Sequence, residues 1–274
     1  MREVTSATNP LIKLFRRSLA QGVTREGWIA LEGPLLVAEA IQATADDRKS
    51  PGLSCACTVR SVLIARSAAS KFAPLLARLP AASEATVIPD SMFERISATV
   101  TPQGIAVLVE IVHPPLDRIL AANDAVLMVA FGVRDPGNLG TILRSSEGLG
   151  AHAVVTLHST VSPFNPKVVR ACGGALFRLP VFAALRPAEF FEQLRSAGVR
   201  VLAACRRSPR NLADADLQGR LAFLIGNEAA GLPPGIRPDA SVAIPVRPGV
   251  DSLNAAVAAG ILLYETASQR GFKY

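Results

Sequence analysis

The chain has 274 residues, half of them hydrophobic and 19% charged, with a formal net charge of +7. That length is long for one compact domain and comfortable for two, and the apolar content excludes bulk disorder. The basic balance points to a polyanion partner such as nucleic acid, although an Arg-rich surface alone would give the same excess.

In chain order, residues 9–20 read as a short basic amphipathic helix, with Leu11, Ile12, Phe15 and Leu19 on one side and Lys13, Arg16 and Arg17 elsewhere. Residues 28–31 follow as a strand, and Gly33-Pro34 opens a helix to about Ile41, with Pro in a tolerated first-turn position. Residues 44–57 read as a polar loop. Strands are expected at 58–65, 85–88 and 104–112, with helices near 67–79 and 90–97; this alternation is one small α/β domain over 1–112. His113-Pro-Pro115 marks a break, and 113–122 reads as a linker. The pattern restarts with the apolar run 125–131, suited to a strand covered on both faces. A helix over 138–150, strand 153–157, helices near 166–175 and 187–197, strands 199–204, 221–225 and 242–246, and a last helix from Ser252 to Gln269 complete a second domain, 123–274. The fold class is α/β with a mainly parallel sheet.

Several function classes fall away. Residues 1–122 hold 13 Lys and Arg against 11 Asp and Glu, and residues 123–274 hold 16 against 11, so no basic tail does the binding. One Trp and two Tyr are too few for a single-strand stacking platform. The four cysteines fit neither a zinc nor a disulfide framework and read as reduced thiols, which implies a cytoplasmic protein. No His or Cys cluster has metal spacing, so no metal is expected. His113, His152 and His158 are scattered and read as packed or surface residues. The N-terminus has no signal-peptide apolar region, and no run approaches the ~20 apolar residues of a membrane helix. A P-loop is missing, and Gly148-Leu-Gly150 is a truncated dinucleotide fingerprint that ends a helix.

Three segments place polar residues where a strand should end or a helix begin: Asn138-Leu-Gly-Thr-Ile-Leu-Arg144, Leu224-Ile-Gly-Asn-Glu-Ala-Ala-Gly-Leu232, and Ile244 through Ser252-Leu-Asn254 to Ala256. In open α/β sheets ligands bind at strand ends, so one polar site built from three distant stretches is expected. Arg144 lies about two turns into its helix, from where its fork can return toward the strand-end cleft. Asn138 reads equally well as part of a helix start. Glu228, directly after a buried strand, must be solvated or paired, or serve as a first-turn helix charge. Ser252 is the expected cap of the last helix, and Asn254 is placed inside its first turn.

In this order the segments resemble the SpoU (TrmH-like) branch of the SPOUT methyltransferases, whose pattern runs N-x-G-x-x-x-R, G-x-E-x-x-G-L and I-P-…-S-L-N. Asn165 to Ala171, Gly174 to Phe177 and, in the first half, Asn9-Pro10, Arg25-Glu-Gly27, Leu31-Glu-Gly33 and Thr101-Pro-Gln-Gly104 are similar as well. Departures are Val246-Arg247-Pro248 and Ala255, which alter the lining more than the backbone contacts. The resemblance implies a deep trefoil knot, a ribosomal-protein-like N-terminal domain that binds RNA, a homodimer, and S-adenosylmethionine held by Gly226, Ile244, Leu253 and, near the end of the preceding strand, Ala204. It implies methyl transfer to a ribose 2′-hydroxyl, of rRNA in preference to tRNA, with Arg144, Asn138, Glu228, Ser252 and Asn254 as the catalytic set. Lys13, Arg16, Arg17 and Arg25 become candidate phosphate contacts. The competing expectations are a tRNA 2′-O- or guanine-base methyltransferase and a non-catalytic ribosome-assembly protein on the same scaffold.

Overall fold

The computed structural model describes residues 1–45, 53–206, 208–226 and 236–271. Two compact units emerge. The first gathers the N-terminal stretch, Cys55–His113 and Phe164–Arg178; the second gathers Pro114–Pro163 and the chain from Leu179 onward.

The first unit begins with β1 (Arg2–Glu3) and α1 (Pro10–Gln21). Asn9 caps α1 by accepting from the Leu11 amide at 2.9 Å, and Pro10 sits where its missing N–H costs nothing. There follow β2 (Trp28–Glu32), α2 (Pro34–Ala45), β3 (Ala56–Ala65), α3 (Ala73–Leu76), β4 (Glu84–Ile88), α4 (Asp90–Ile96) and β5 (Ile105–Val112). The sheet order is β1-β4-β3-β5-β2, with the first two pairings parallel and the last two antiparallel. Phe15, Phe93, Ile41, Leu63, Ile88 and Leu108 fill its core.

Glu32 is buried here, and its cost is offset by three donors: Ser97 Oγ at 2.6 Å, Thr99 Oγ1 at 2.8 Å and the Ala98 amide at 3.0 Å. Gly22 ends α1 at φ +100°, and a Cβ there would fall on the Phe164 carbonyl oxygen. Both the backbone angle and the close approach demand glycine.

The second unit opens with α5 (Leu116–Leu120), β6 (Val126–Ala130), α6 (Pro136–Gly148) and β7 (Ala153–Leu157). The chain then enters the first unit as α7 (Pro166–Ala171), whose cap is Asn165, before resuming with β8 (Val181–Leu185), α8 (Pro187–Ser196), β9 (Arg200–Ala204), β10 (Leu221–Ile225), β11 (Ala240–Val242) and α9 (Ala255–Gln269). The sheet runs β11-β9-β10-β6-β7-β8, and every recorded pairing is parallel. This is the expected α/β class with a mainly parallel sheet. Leu127, Val129, Val155, Val201 and Leu224 form one face of the core with Phe190, Phe191 and Leu194 of α8. On α9, Gly260 and its alanine neighbours are small, and a Cβ added at Gly260 would lie 3.9 Å from Ser145 Oγ of α6.

Part of the positive charge is structural. Arg220 donates to the carbonyls of Ala122 at 3.1 Å and Ala197 at 2.8 Å, and Arg270 to those of Leu217 at 2.9 Å and Asp124 at 2.6 Å. These guanidiniums satisfy carbonyls at the ends of elements.

Several boundaries differ from expectation. The helix expected at 67–79 is a 3₁₀ turn (Arg66–Ala68) and one α turn, with Pro74 opening the latter. The helix at 166–175 stops at Ala171 because Gly173 and Gly174 both take positive φ. β3 begins at Ala56, inside the expected loop, because Ala56 and Cys57 pair with Val112 and Ile111. β11 ends at Val242 instead of running to 246; Pro245 has no N–H to give a neighbouring strand.

Candidate active site

At the C-terminal ends of β9 and β10, the second unit has a cleft of about 380 Å³. Ala204 and Cys205 lie on one side of it, Ile225 and Gly226 end β10 within it, and Ile244, Val246 and the stretch from Asp251 to Leu253 complete the lining with Ala255 and Ala258 of α9. Parallel strands end here on one side of the sheet, which is the position where such sheets bind ligands. Ala204, Gly226, Ile244 and Leu253, singled out from the sequence, all line this one cleft. Its volume lies within the roughly 300–1,000 Å³ of small-molecule sites, and apolar side chains alternate with a few polar groups, as in such sites.

Ser252 also lines the cleft, but it is exposed and does not cap α9. The cap is Asn254, whose Oδ1 accepts from the amides of Ala256 at 2.9 Å and Val257 at 3.3 Å. The helix therefore starts later than the sequence suggested, at Ala255. The Asn254 side-chain amide donates to Asn138 Oδ1 at 2.9 Å, joining the first and third segments. Asn138 in turn gives its backbone N–H to the Asp135 cap of α6 at 2.7 Å.

Arg144 lies six residues beyond Asn138 on α6, about 9 Å along the axis and roughly 240° around it. It is exposed, does not line the cleft, and its guanidinium has no hydrogen-bond or ion-pair partner among the described residues. Glu228 lies outside the described residues. Lys13, Arg16, Arg17 and Arg25 are all exposed in the first unit; the first three share one face of α1, opposite Ile12, Phe15 and Leu19.

Sequence reasoning missed Cys205, Arg206 and Asp251. Arg206 Nη1 lies 3.1 Å from Asp251 Oδ1, and both residues line the cleft. Following β9 past its last residue would have found the first two. Burial pushes the Cys205 thiol up, so it stays protonated at neutral pH. His152 accepts from the Val126 amide at 3.1 Å and is packed, as its isolation in the sequence suggested. No group of His, Cys, Asp and Glu among the described residues could hold a metal ion. No helix among them is long and apolar enough to cross a membrane.

Residues 125–264 match the SpoU rRNA Methylase family. The chain is 29% identical over 271 residues to the 23S rRNA (guanosine(2553)-2′-O)-methyltransferase RlmP of Bacillus subtilis, covering 96% of this chain and 98% of that one. It is 33% identical over 208 residues to a 23S rRNA (uridine(2479)-2′-O)-methyltransferase of Streptomyces viridochromogenes, covering 73% and 72%. Its fold matches the crystal structure of the SpoU methyltransferase AviRb from Streptomyces viridochromogenes in complex with AdoMet, with a TM-score of 0.81, 27% identity and coverage of 97% and 100%. The chain belongs to the SpoU rRNA methylase family.

Proposed function

We propose that this chain transfers a methyl group from S-adenosylmethionine to a ribose 2′-hydroxyl of RNA, with rRNA as the substrate in preference to tRNA. The observation that carries this reading is the cleft in which Ala204, Gly226, Ile244 and Leu253 meet at the ends of parallel strands. Its residues fit the cofactor. Ile225, Val242, Ile244 and Leu253 offer apolar surface to an adenine, while Arg206, Asp251 and Ser252 offer polar groups to a ribose and an amino-acid end. When bound, the cofactor supplies an electrophilic methyl group whose departure leaves a neutral thioether.

The protein must handle the other reactant. A ribose hydroxyl is barely acidic, so it has to be aligned and its proton drawn away. A guanidinium is a poor base, and its planar fork of donors makes Arg144 a good clamp. Exposed and unpartnered among the described residues, it is free to grip an RNA phosphate bidentately and stabilise developing alkoxide charge. Asn138, tied to Asn254, orients the acceptor ribose, and Ser252 shapes the acceptor pocket. Glu228, which lies outside the described residues, stays a candidate member of the catalytic set in this reading.

The first unit binds the RNA, with Lys13, Arg16, Arg17 and Arg25 as phosphate contacts, and the second carries out transfer. A homodimer belongs to the same reading; exposed Val257 and Tyr264, seven residues apart on α9, are the surface a second copy would cover. Light scattering should show a dimer that Val257→Asp with Tyr264→Asp dissociates. A trefoil knot belongs to it too, supported by the passage from β10 to the sheet edge at β11 and the return as α9 against α6. A crystallographic trace with α9 unthreaded would remove it.

The test is incubation of the protein with tritiated-methyl S-adenosylmethionine and RNA from cells lacking the gene, then digestion to nucleosides. Label in a 2′-O-methylnucleoside of rRNA is expected. Label in tRNA or in a guanine base would replace this reading with its nearest rival. Failure to label any RNA, with no cofactor binding by calorimetry, would favour a non-catalytic protein.

A further inference from the structure

A second hollow lies in the first unit, where the start of α1 meets the sheet. It measures about 250 Å³ and is lined by Arg2, Trp28, Arg60, Ser61, Glu84 and Thr86, among others. None of these was assigned a role by the sequence or by the reaction.

Trp28 is the one tryptophan of the chain and is half-exposed, while the rest of its strand is buried. The Arg60 guanidinium carbon sits 5.5 Å from the centre of the Trp28 ring, and the same guanidinium pairs with Glu110. A cation held over an indole presents flat surface for stacking. Thr86 is fully buried, yet its hydroxyl has no hydrogen-bond partner among the described residues. A buried unpaired hydroxyl is unfavourable and is explained when a ligand completes it. Ser61 Oγ donates to the Glu84 carbonyl at 3.1 Å, and the exposed Glu84 carboxylate, with no hydrogen-bond or ion-pair partner among the described residues, can accept N–H groups. Arg2 is exposed and has no ion-pair partner among the described residues.

We propose that this hollow takes a single unpaired nucleobase of the RNA substrate. The base stacks on the Trp28–Arg60 planes, turns its edge to the Thr86 hydroxyl and the Glu84 carboxylate, and leaves a flanking phosphate at Arg2. The volume falls below the roughly 300 Å³ at which drug-sized sites begin, so one base fits and a run of stacked bases does not. Unpaired bases of loops and bulges are the part of RNA whose edges and faces a protein can reach. The proposal rests on the reading that the substrate is RNA.

Because Trp28 is the sole tryptophan, its emission reports on the hollow directly. The full chain is titrated with an RNA hairpin carrying an unpaired loop and with a fully paired duplex of the same stem, while binding is measured independently by filter retention. The hairpin should quench Trp28 emission saturably at the concentration where it binds, and the duplex should not. Trp28→Ala should weaken hairpin binding roughly five- to hundred-fold while leaving S-adenosylhomocysteine binding unchanged. If that variant fails to fold, Arg2→Ala should lower the slope of log affinity against log salt by about one. Thr86→Val should weaken the hairpin complex by up to about tenfold. A hairpin that is bound and methylated without changing Trp28 emission, and whose affinity is indifferent to the Arg2 and Thr86 variants, overturns the hollow and leaves methyl transfer standing. RNA that is neither bound nor methylated overturns both.

Discussion

The Asn254 side chain does two things at once: its oxygen caps α9 and its nitrogen reaches Asn138 Oδ1 at 2.9 Å, 116 residues earlier in the chain. The tie fixes the start of α9, and with it the neighbouring Leu253 in the cleft, to the start of α6, which carries Arg144.

The two halves of that side chain can be separated. Asn254→Ala removes both, and should cost about 1 kcal/mol of stability in urea denaturation as well as methyl transfer. Asn254→Asp keeps the cap oxygen and places a negative charge where the helix dipole favours it, so stability should hold. The donor to Asn138 is lost, so transfer should still fall. An Asp variant as active as the original would show that the tie does not serve the reaction.

Arg144→Ala should lower the rate of methyl transfer about 10²–10³-fold, the range seen when one preorganised donor to developing charge is removed. Calorimetric affinity for S-adenosylhomocysteine should be unchanged, because Arg144 does not line the cleft. Arg144→Lys should not rescue, since an ammonium lacks the planar fork. Rescue by Lys would reduce the role to simple charge.

Ala204 is half-buried at the end of β9 and lines the cleft. Ala204→Leu adds three carbons to a cleft of about 380 Å³. Affinity for S-adenosylhomocysteine should drop at least about tenfold, equivalent to about 1.4 kcal/mol, with the melting temperature nearly unchanged. An unaltered binding isotherm would place the cofactor elsewhere.

Stability should fall on mild acidification. Burial pulls His113 below its ordinary value; burial does the same for His152, where nearby Asp124 opposes the shift and Arg270 adds to it. Both are therefore held neutral in the fold, while the unfolded chain takes up protons near about pH 6.5. The unfolded state binds more protons below that pH, so the histidine contribution is whole above it and is lost as pH falls toward the folded values. Urea midpoints at about pH 7.5 and 5.5 should differ, and His113→Gln with His152→Gln should narrow the gap. A gap that the double variant leaves untouched would assign the acid sensitivity to other groups.

The parallel sheet was legible because the strands around β6 and β10 are short unbroken apolar runs, which is how a strand covered on both faces reads. β8 was passed over: Val181–Leu185 is a short apolar run closed in by Pro180 and Pro187, and in the structure its Ala183 and Ala184 are exposed, with Ala184 at φ +54°, so it is not covered on both faces as β6 and β10 are. α5 was hidden behind Pro114-Pro115, which read as linker and instead starts a short helix. At the cleft, the glycines and the Ser-Leu-Asn run were readable from their places at strand and helix ends. The pairing of Asn254 with Asn138 and of Arg206 with Asp251 was not, because each joins side chains from distant stretches that only the completed sheet brings together.

The excursion of Phe164–Arg178 into the first unit means that neither unit is one uninterrupted stretch of polypeptide. A protease that nicks the connection after His113 would not release two free pieces, because the larger fragment still carries a helix that completes the smaller. Gene fragments cut at that point would make a first half lacking part of its own packing, so dissection of this protein calls for grafting 164–178 back on instead of simple truncation.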